Sequence, residues 1–294
     1  MSEGPHGLLV VDKPAGVTSH DVVAAARRLF ATRSVGHAGT LDPMATGVLV
    51  LLFGEACKLS GYLTADEKTY ATTVRFGVAT DSYDADGEVT EQRDLPPGFP
   101  EPAALEAALV AERQRSEQVP PSVSAIHDRG VRAHVRVRRG ETLALPPRPV
   151  AVHLLELRDR QAESVSLELR VSKGYYVRSL ARDLGEHLGV PAHLSALRRL
   201  ASGAFTLADA HPWPSAVAPA LIELESAARR ALPITELTEQ GVTFARQGKR
   251  LAPEHARSTR TGAVSAWFGP DGRLVALGTS DEASHRVVRG FQQS

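Results

Sequence analysis

Within residues 36–49, GHAGTLDPMATGVL, one carboxylate, Asp42, stands among glycines and small residues. Gly36, Gly39 and Gly47 permit backbone angles closed to other residues and let a substrate approach the main chain. Pro43 biases Asp42 toward extended or turn backbone. Behind the loop, the apolar run Val48–Phe53 is long enough for one buried strand. A lone acid carried on a rigid loop at the edge of a core element is how a nucleophile or general base is displayed. An Asp-Pro pair taken by itself is more often a plain turn initiator. The whole fourteen-residue string is too particular for that.

Two other strings mimic ligand-binding motifs and fail them. SYDADGEVTEQR (82–93) has the outline of a calcium loop, yet Ser82 stands at its first position and Arg93 at its twelfth, where acids are needed. GVTFARQGKR (241–250) suggests a phosphate loop, but six residues part its glycines where four are required, and no hydroxyl residue follows the lysine. Cys57 is the one cysteine, so neither a disulfide framework nor a Cys-based metal site is available. None of the eleven histidines is paired at zinc-protease spacing, and no metal is expected.

The string around Asp42 resembles the active-site motif of the TruB family of pseudouridine synthases, matching GHxGTLDPxATGVL throughout. Further landmarks follow in order: LLVVDKPAGVTSHDVV (8–23), EKTY (67–70), TDSYDADG (80–87), SKGYYVRSLARDLGEHLG (172–189) and LSALRRL (194–200). The resemblance spans about residues 7–212. It implies an isomerase that acts on uridine 55 in the tRNA T loop. The C1′–N1 bond is broken, the freed base rotates, and C1′ is joined to C5. This chemistry is redox-neutral and needs no group donor, so no cofactor is implied.

Carried over residue by residue, the resemblance makes Asp42 the nucleophile, attacking C1′ or C6 or acting through a glycal. Arg178 becomes its cationic partner, opposing the rise in pKa that desolvation under substrate would bring. Tyr70 stacks on the target base and assists proton transfer. His37 enters the space left by the extruded nucleotide, and Gly39, Thr40 and Leu41 line the substrate beside Asp42. Tyr176 is a pocket aromatic, Leu197 a hydrophobic wall, and Asp84 a contact to the flipped uracil. Lys13 and Pro14 support the Asp42 loop. On periodicity alone, Arg178 is as readily a solvated arginine at a helix start, and Tyr70 more often a core aromatic.

One element departs from the family. PPSVSAIHDRGVRAHVRVRRG (120–140) has Val123 and His134 where tyrosines are common, and His127 where a lysine is. Aromatic and cationic contacts are thereby removed from the insertion that grips RNA. Six arginines against two acids in residues 127–148 restore positive charge there, although formal net charge is zero. Residues 80–94 hold six acids against one arginine. Charge alone fits an RNA-facing arm beside a solvated loop no better than a generally arginine-decorated surface.

The elements that must position these residues read as a mixed sheet with helices. Leu8–Asp12 is a short strand; Thr18 with Asp21 opens a helix whose stripe is Val22, Val23, Ala26, Leu29 and Phe30. Alternation predicts strands over 70–76 and 165–171, and a 3.6-residue period predicts a helix over 177–188. A further helix is expected near 103–113, after a proline-rich connection.

The expected fold class is α/β (α+β): a mixed, mainly antiparallel sheet with flanking helices over 1–230, with an RNA-contacting insertion at about 120–149. A small β-barrel-like PUA-type domain is expected over 231–294, from short strands at 264–268, 274–277 and 286–288. At 43% hydrophobic and 23% charged, the 294 residues suit a soluble globular protein. No signal h-region and no run of about 18 apolar residues is present, so the cytoplasm is the expected compartment and no membrane partner is expected. The expected partner is the T stem-loop of tRNA, bound by a monomer without guide RNA. A retaining glycosidase would need a second carboxylate ~5 Å from the first. A non-catalytic RNA-folding protein would have no need to keep Asp42.

Overall fold

The computed structural model describes residues 4–292, apart from 65–66, 123–126, 129–130, 133–135, 137–144, 216 and 259; for 127–128 and 131–132 it describes the backbone alone. Most of the substituted insertion thus lies outside the described residues, Val123 and His134 included, as does the side chain of His127.

The strands of the large sheet are β1 (Gly7–Lys13), β2 (Val35–His37), β3 (Thr46–Phe53), β4 (Lys68–Phe76), β5 (Val152–Arg160), β6 (Ser164–Val171), β7 (Ala192–Ser202), β8 (Phe205–Thr206) and β9 (His211–Pro212). Their order is β5-β6-β4-β7-β3-β1-β9, with β2 on β3 and β8 on β7. Pairing is mostly antiparallel; β7 with β3 and β1 with β9 are parallel. Besides a single turn at Ser60–Leu63, the α-helices described are α1 (Ser19–Leu29), α2 (Pro102–Arg113), α3 (Val177–Leu188), α4 (Leu224–Ala231) and α5 (Glu239–Arg246). A second sheet, ordered β11-β10-β12-β13-β14, consists of β10 (Ile234–Leu237), β11 (Ala256–Ser258), β12 (Val264–Phe268), β13 (Leu274–Ser280) and β14 (His285–Gly290).

The unbroken apolar run of β3 follows from burial on both faces. Successive strand residues point to opposite sides. Leu49, Leu51 and Phe53, with Leu9 and Val11 of β1, join a core roofed by α1, α2 and α3. Val48, Val50 and Leu52, with Leu8 and Val10, join a second core that includes Ala227 and Ala228 of α4 and Phe268, Leu274 and Leu277 of the second sheet. Each of these buried Leu, Val and Phe side chains contributes about 1.5–3 kcal/mol, so the second sheet is packed onto the first rather than tethered to it. Helix α1 begins as its sequence predicts: Asp21 N–H donates to Thr18 Oγ1 at 3.0 Å, and Thr18 N–H to Asp21 Oδ2 at 2.9 Å.

Gly47 is one glycine the fold requires. Its φ is +101°, and a Cβ there would lie 2.2 Å from the Arg199 carbonyl oxygen. The group that approaches this main chain is therefore strand β7, not a substrate. Residues 241–250, the phosphate-loop mimic, lie largely in and just after α5, which Thr238 caps through Gly241 N–H at 3.0 Å.

Candidate active site

Asp42 sits on the loop from β2 to β3, and four separate elements hold that loop. From α1, Ser19 Oγ accepts from Leu41 N–H at 2.8 Å and donates to the Leu41 carbonyl at 3.1 Å. At the end of β1, Lys13 is wholly buried and its ammonium donates to the carbonyls of Pro14, Val17 and Pro43 at 2.8, 2.7 and 3.1 Å. The acidic loop between the short strands Val78–Thr80 and Val89–Gln92 sends Asp86 Oδ2 to Met44 N–H at 3.0 Å. From β7, the buried Arg199 donates to the carbonyls of Val48, Thr40 and Gly39 at 2.7, 3.3 and 3.1 Å. The loop is thus over-determined on both sides of Asp42, which fixes where that side chain stands.

Arg178 enters from the first turn of α3, a helix that buries Val177, Leu180, Ala181 and Leu184 against the sheet. Its Nε lies 2.9 Å from Asp42 Oδ2, an ion-pair contact without hydrogen-bond alignment, and its Nη2 donates to Asp42 Oδ1 at 3.2 Å. The same guanidinium donates to the Ser82 carbonyl at 3.1 Å and stands 3.5 Å from Asp84 Oδ2. Two carboxylates therefore share one cation. The Arg178 and Asp84 side chains are 6% and 5% exposed, whereas Asp42 is 33% exposed. Asp42 is the member of the trio open to an incoming group.

Burial pushes the Asp84 carboxyl up, against the Ser82 hydroxyl bonded to it at 2.5 Å and the charge of Arg178. Burial pulls the His37 imidazole down, and Arg199 acts in the same direction. Burial pulls the Lys13 ammonium down to about 8, opposed by the charges of Asp42 and Asp86.

The ten residues expected to act on or bind substrate line one cleft of about 1390 Å³: His37, Gly39, Thr40, Leu41, Asp42, Tyr70, Asp84, Tyr176, Arg178 and Leu197. Tyr70 of β4 is nearly buried and lies opposite Arg199 across the ladder; Leu197 stands two residues before Arg199 on β7. Ser19, Lys68 and Arg199 line the cleft as well. The roles of Ser19, Asp86 and Arg199 in holding the Asp42 loop were not legible in the sequence. Their bonds join residues far apart in the chain, and Arg199 lies inside LSALRRL with nothing to mark its acceptors. Among the described residues, no group of three or more His, Cys, Asp or Glu is arranged to hold a metal ion, and no helix is long and apolar enough to cross a membrane.

The arrangement sets an ionisable carboxylate beside a guanidinium, within aromatic and aliphatic walls. Comparison with known proteins places the chain in a family. Residues 27–177 match the model of the TruB family pseudouridylate synthase N-terminal domain, and 178–223 that of the tRNA pseudouridylate synthase B C-terminal domain. The boundary between the two falls inside the cleft, with Asp42 and Tyr70 on one side and Arg178 and Leu197 on the other. The chain is 44% identical to the tRNA pseudouridine synthase B of Arthrobacter sp. (strain FB24), covering 92% of each. It is 44% identical to that of Thermobifida fusca (strain YX), covering 98% of this chain and 99% of the relative. Among solved structures, a chain of a Cbf5-Nop10-Gar1 complex superposes with a TM-score of 0.73 at 23% identity, over 98% of this chain and 84% of the other. A chain of an H/ACA RNP bound to a substrate RNA containing 2′-deoxyuridine gives 0.71 at 22%, over 98% and 86%. At those identities the likeness is one of fold.

Proposed function

Since the chain belongs to the TruB family and is an RNA pseudouridine synthase acting on tRNA, we propose that it isomerises uridine 55 of the T loop, with Asp42 as nucleophile. The observation that supports this best is the Asp42–Arg178 ion pair at the open face of the cleft. Whether Asp42 attacks C1′, attacks C6 or acts through a glycal, it must be ionised while substrate covers it. Desolvation alone would favour the neutral acid. Arg178 stays protonated and, held by Asp84 and the Ser82 carbonyl, offers Asp42 a fixed partner that costs no reorganisation on binding.

The substrate uridine reaches Asp42 only out of the stack, at a cost of a few kcal/mol. In this reading Tyr70 and Leu197 sandwich the extruded base and Tyr176 closes the pocket. His37 fills the vacated space, its imidazole pKa lowered by burial and by Arg199. Asp84 contacts the uracil edge. Tyr70 assists transfer of the C5 proton. Residues 1–230 form the catalytic domain and the second sheet, within 231–294, a PUA-type RNA-binding domain. The protein acts alone, without guide RNA.

Mapping of pseudouridine in unmodified tRNA, incubated with the purified chain alone, tests the reading. Modification at the T-loop uridine and at no other position is expected. Modification elsewhere, or only when a guide RNA is added, would contradict it.

A further inference from the structure

The helix that carries Arg178 has no side-chain N-cap of its own. Tyr176 is its N-cap residue, in extended backbone, and its side chain makes no capping hydrogen bond. Unsatisfied N–H groups at a helix start need partners. Here the partner comes from another part of the chain. Gln118, 2% exposed, accepts from Tyr176 N–H through Oε1 at 2.8 Å and donates from Nε2 to the Tyr176 carbonyl at 3.1 Å. The amide has one possible orientation, because the N–H can only donate and the carbonyl only accept. Both peptides flanking Tyr176 are thereby fixed, and the second leads through Val177 to Arg178.

The neighbouring residue reinforces the clamp. The Val119 carbonyl accepts from Ser179 Oγ at 2.9 Å and from Arg182 Nη2 at 3.3 Å. Residues 118 and 119 thus bond to the chain on both sides of Arg178. Gln118 also flanks in sequence the segment read as RNA-gripping: it pairs with Arg148, and Glu117 with Pro149.

We propose that Gln118 is a positioning residue for the isomerisation, setting the start of α3 so that the Arg178 guanidinium meets Asp42. This rests on the reading that Arg178 serves Asp42. It does not require Gln118 to touch RNA.

The test uses the full chain, unmodified tRNA at saturation, single-turnover rates and tRNA binding, for Arg178→Lys, Gln118→Met and Gln118→Glu. Arg178→Lys is expected to be slow. Gln118→Met, of similar shape but without either bond, should slow the reaction by ~10- to 100-fold while tRNA Kd stays within about twofold. Gln118→Glu keeps the acceptor for Tyr176 N–H but sets a carboxylate oxygen against a carbonyl. Its rate relative to wild type should be low at mildly alkaline pH and recover as the pH falls, because the protonated acid donates as the amide does.

Wild-type rates in both Gln118 variants, with Arg178→Lys slow, would overturn this proposal alone. A wild-type rate in Arg178→Lys would overturn the underlying reading with it. Weakened binding with an unchanged rate would assign Gln118 to RNA affinity and overturn it too. Should Gln118→Met not fold, a Gln118→Glu rate ratio that is flat with pH would overturn it.

Discussion

At the scale of single residues, the cleft sets charges against burial and compensates with short-range partners. Lys13 shows the balance most clearly. Its ammonium is enclosed yet reaches three carbonyls, and its pKa falls to about 8 from 10.5. Between those values the unfolded chain still holds the proton that the folded chain has released, so this group's contribution to stability rises with pH across the window. Its cost is full below about 8 and fades toward 10.5. The stability of wild type relative to Lys13→Met, measured by denaturant unfolding, should therefore rise between those values, by on the order of 3 kcal/mol at most. A difference that is constant across the window would show that Lys13 keeps its proton in the fold. Sequence gave no warning of the shift, because nothing in DKP reveals three carbonyls converging on one ammonium.

At the scale of elements, legibility tracks how far each one is held by its own residues. The capping box of α1, the alternation of β4 and β6 and the stripe of α3 are local, and the structure reproduces them. Strand β7 is different. Ala192–Ser202 carries Arg198 and Arg199 within a central strand, which breaks any apolar alternation. Arg198 is acceptable there because Asp12 takes both Nη atoms at 3.0 and 2.6 Å, and Arg199 because three carbonyls receive it. Those partners are some 150 residues or more away, beyond what a local pattern can register. The parallel contact of β7 with β3 also depends on Gly47. Gly47→Ala should cost at least ~2 kcal/mol, read as a fall in midpoint on denaturant unfolding. A midpoint equal to wild type would mean the strands part without penalty.

For the molecule as a whole, one core lies above the large sheet and another below it, and the second sheet closes the lower one. Sequence separated residues 231–294 as an independent unit because short strands between glycines and prolines look self-contained. It could not show that Phe268 and Leu277 pack in the same cluster as Leu8 and Val50. A chain ending at residue 231 would strip Ala266, Phe268, Leu274 and Leu277 from the lower core and leave the faces of β1 and β3 there partly exposed. That fragment should aggregate or bind an apolar dye such as ANS, as exposed apolar patches do. A soluble, dye-free fragment with cooperative unfolding would contradict the shared core. That the ten candidate residues share one cleft was legible, since they lie in motifs that stay together in sequence. The bonds that hold those motifs in register were not.

The most direct measurement is single-turnover pseudouridine formation on unmodified tRNA by Asp42→Ala, beside its tRNA affinity. With Asp42 as the proposed nucleophile, product at the T-loop uridine is expected to disappear while binding and folding persist. Product formed at the wild-type rate by Asp42→Ala would contradict that role.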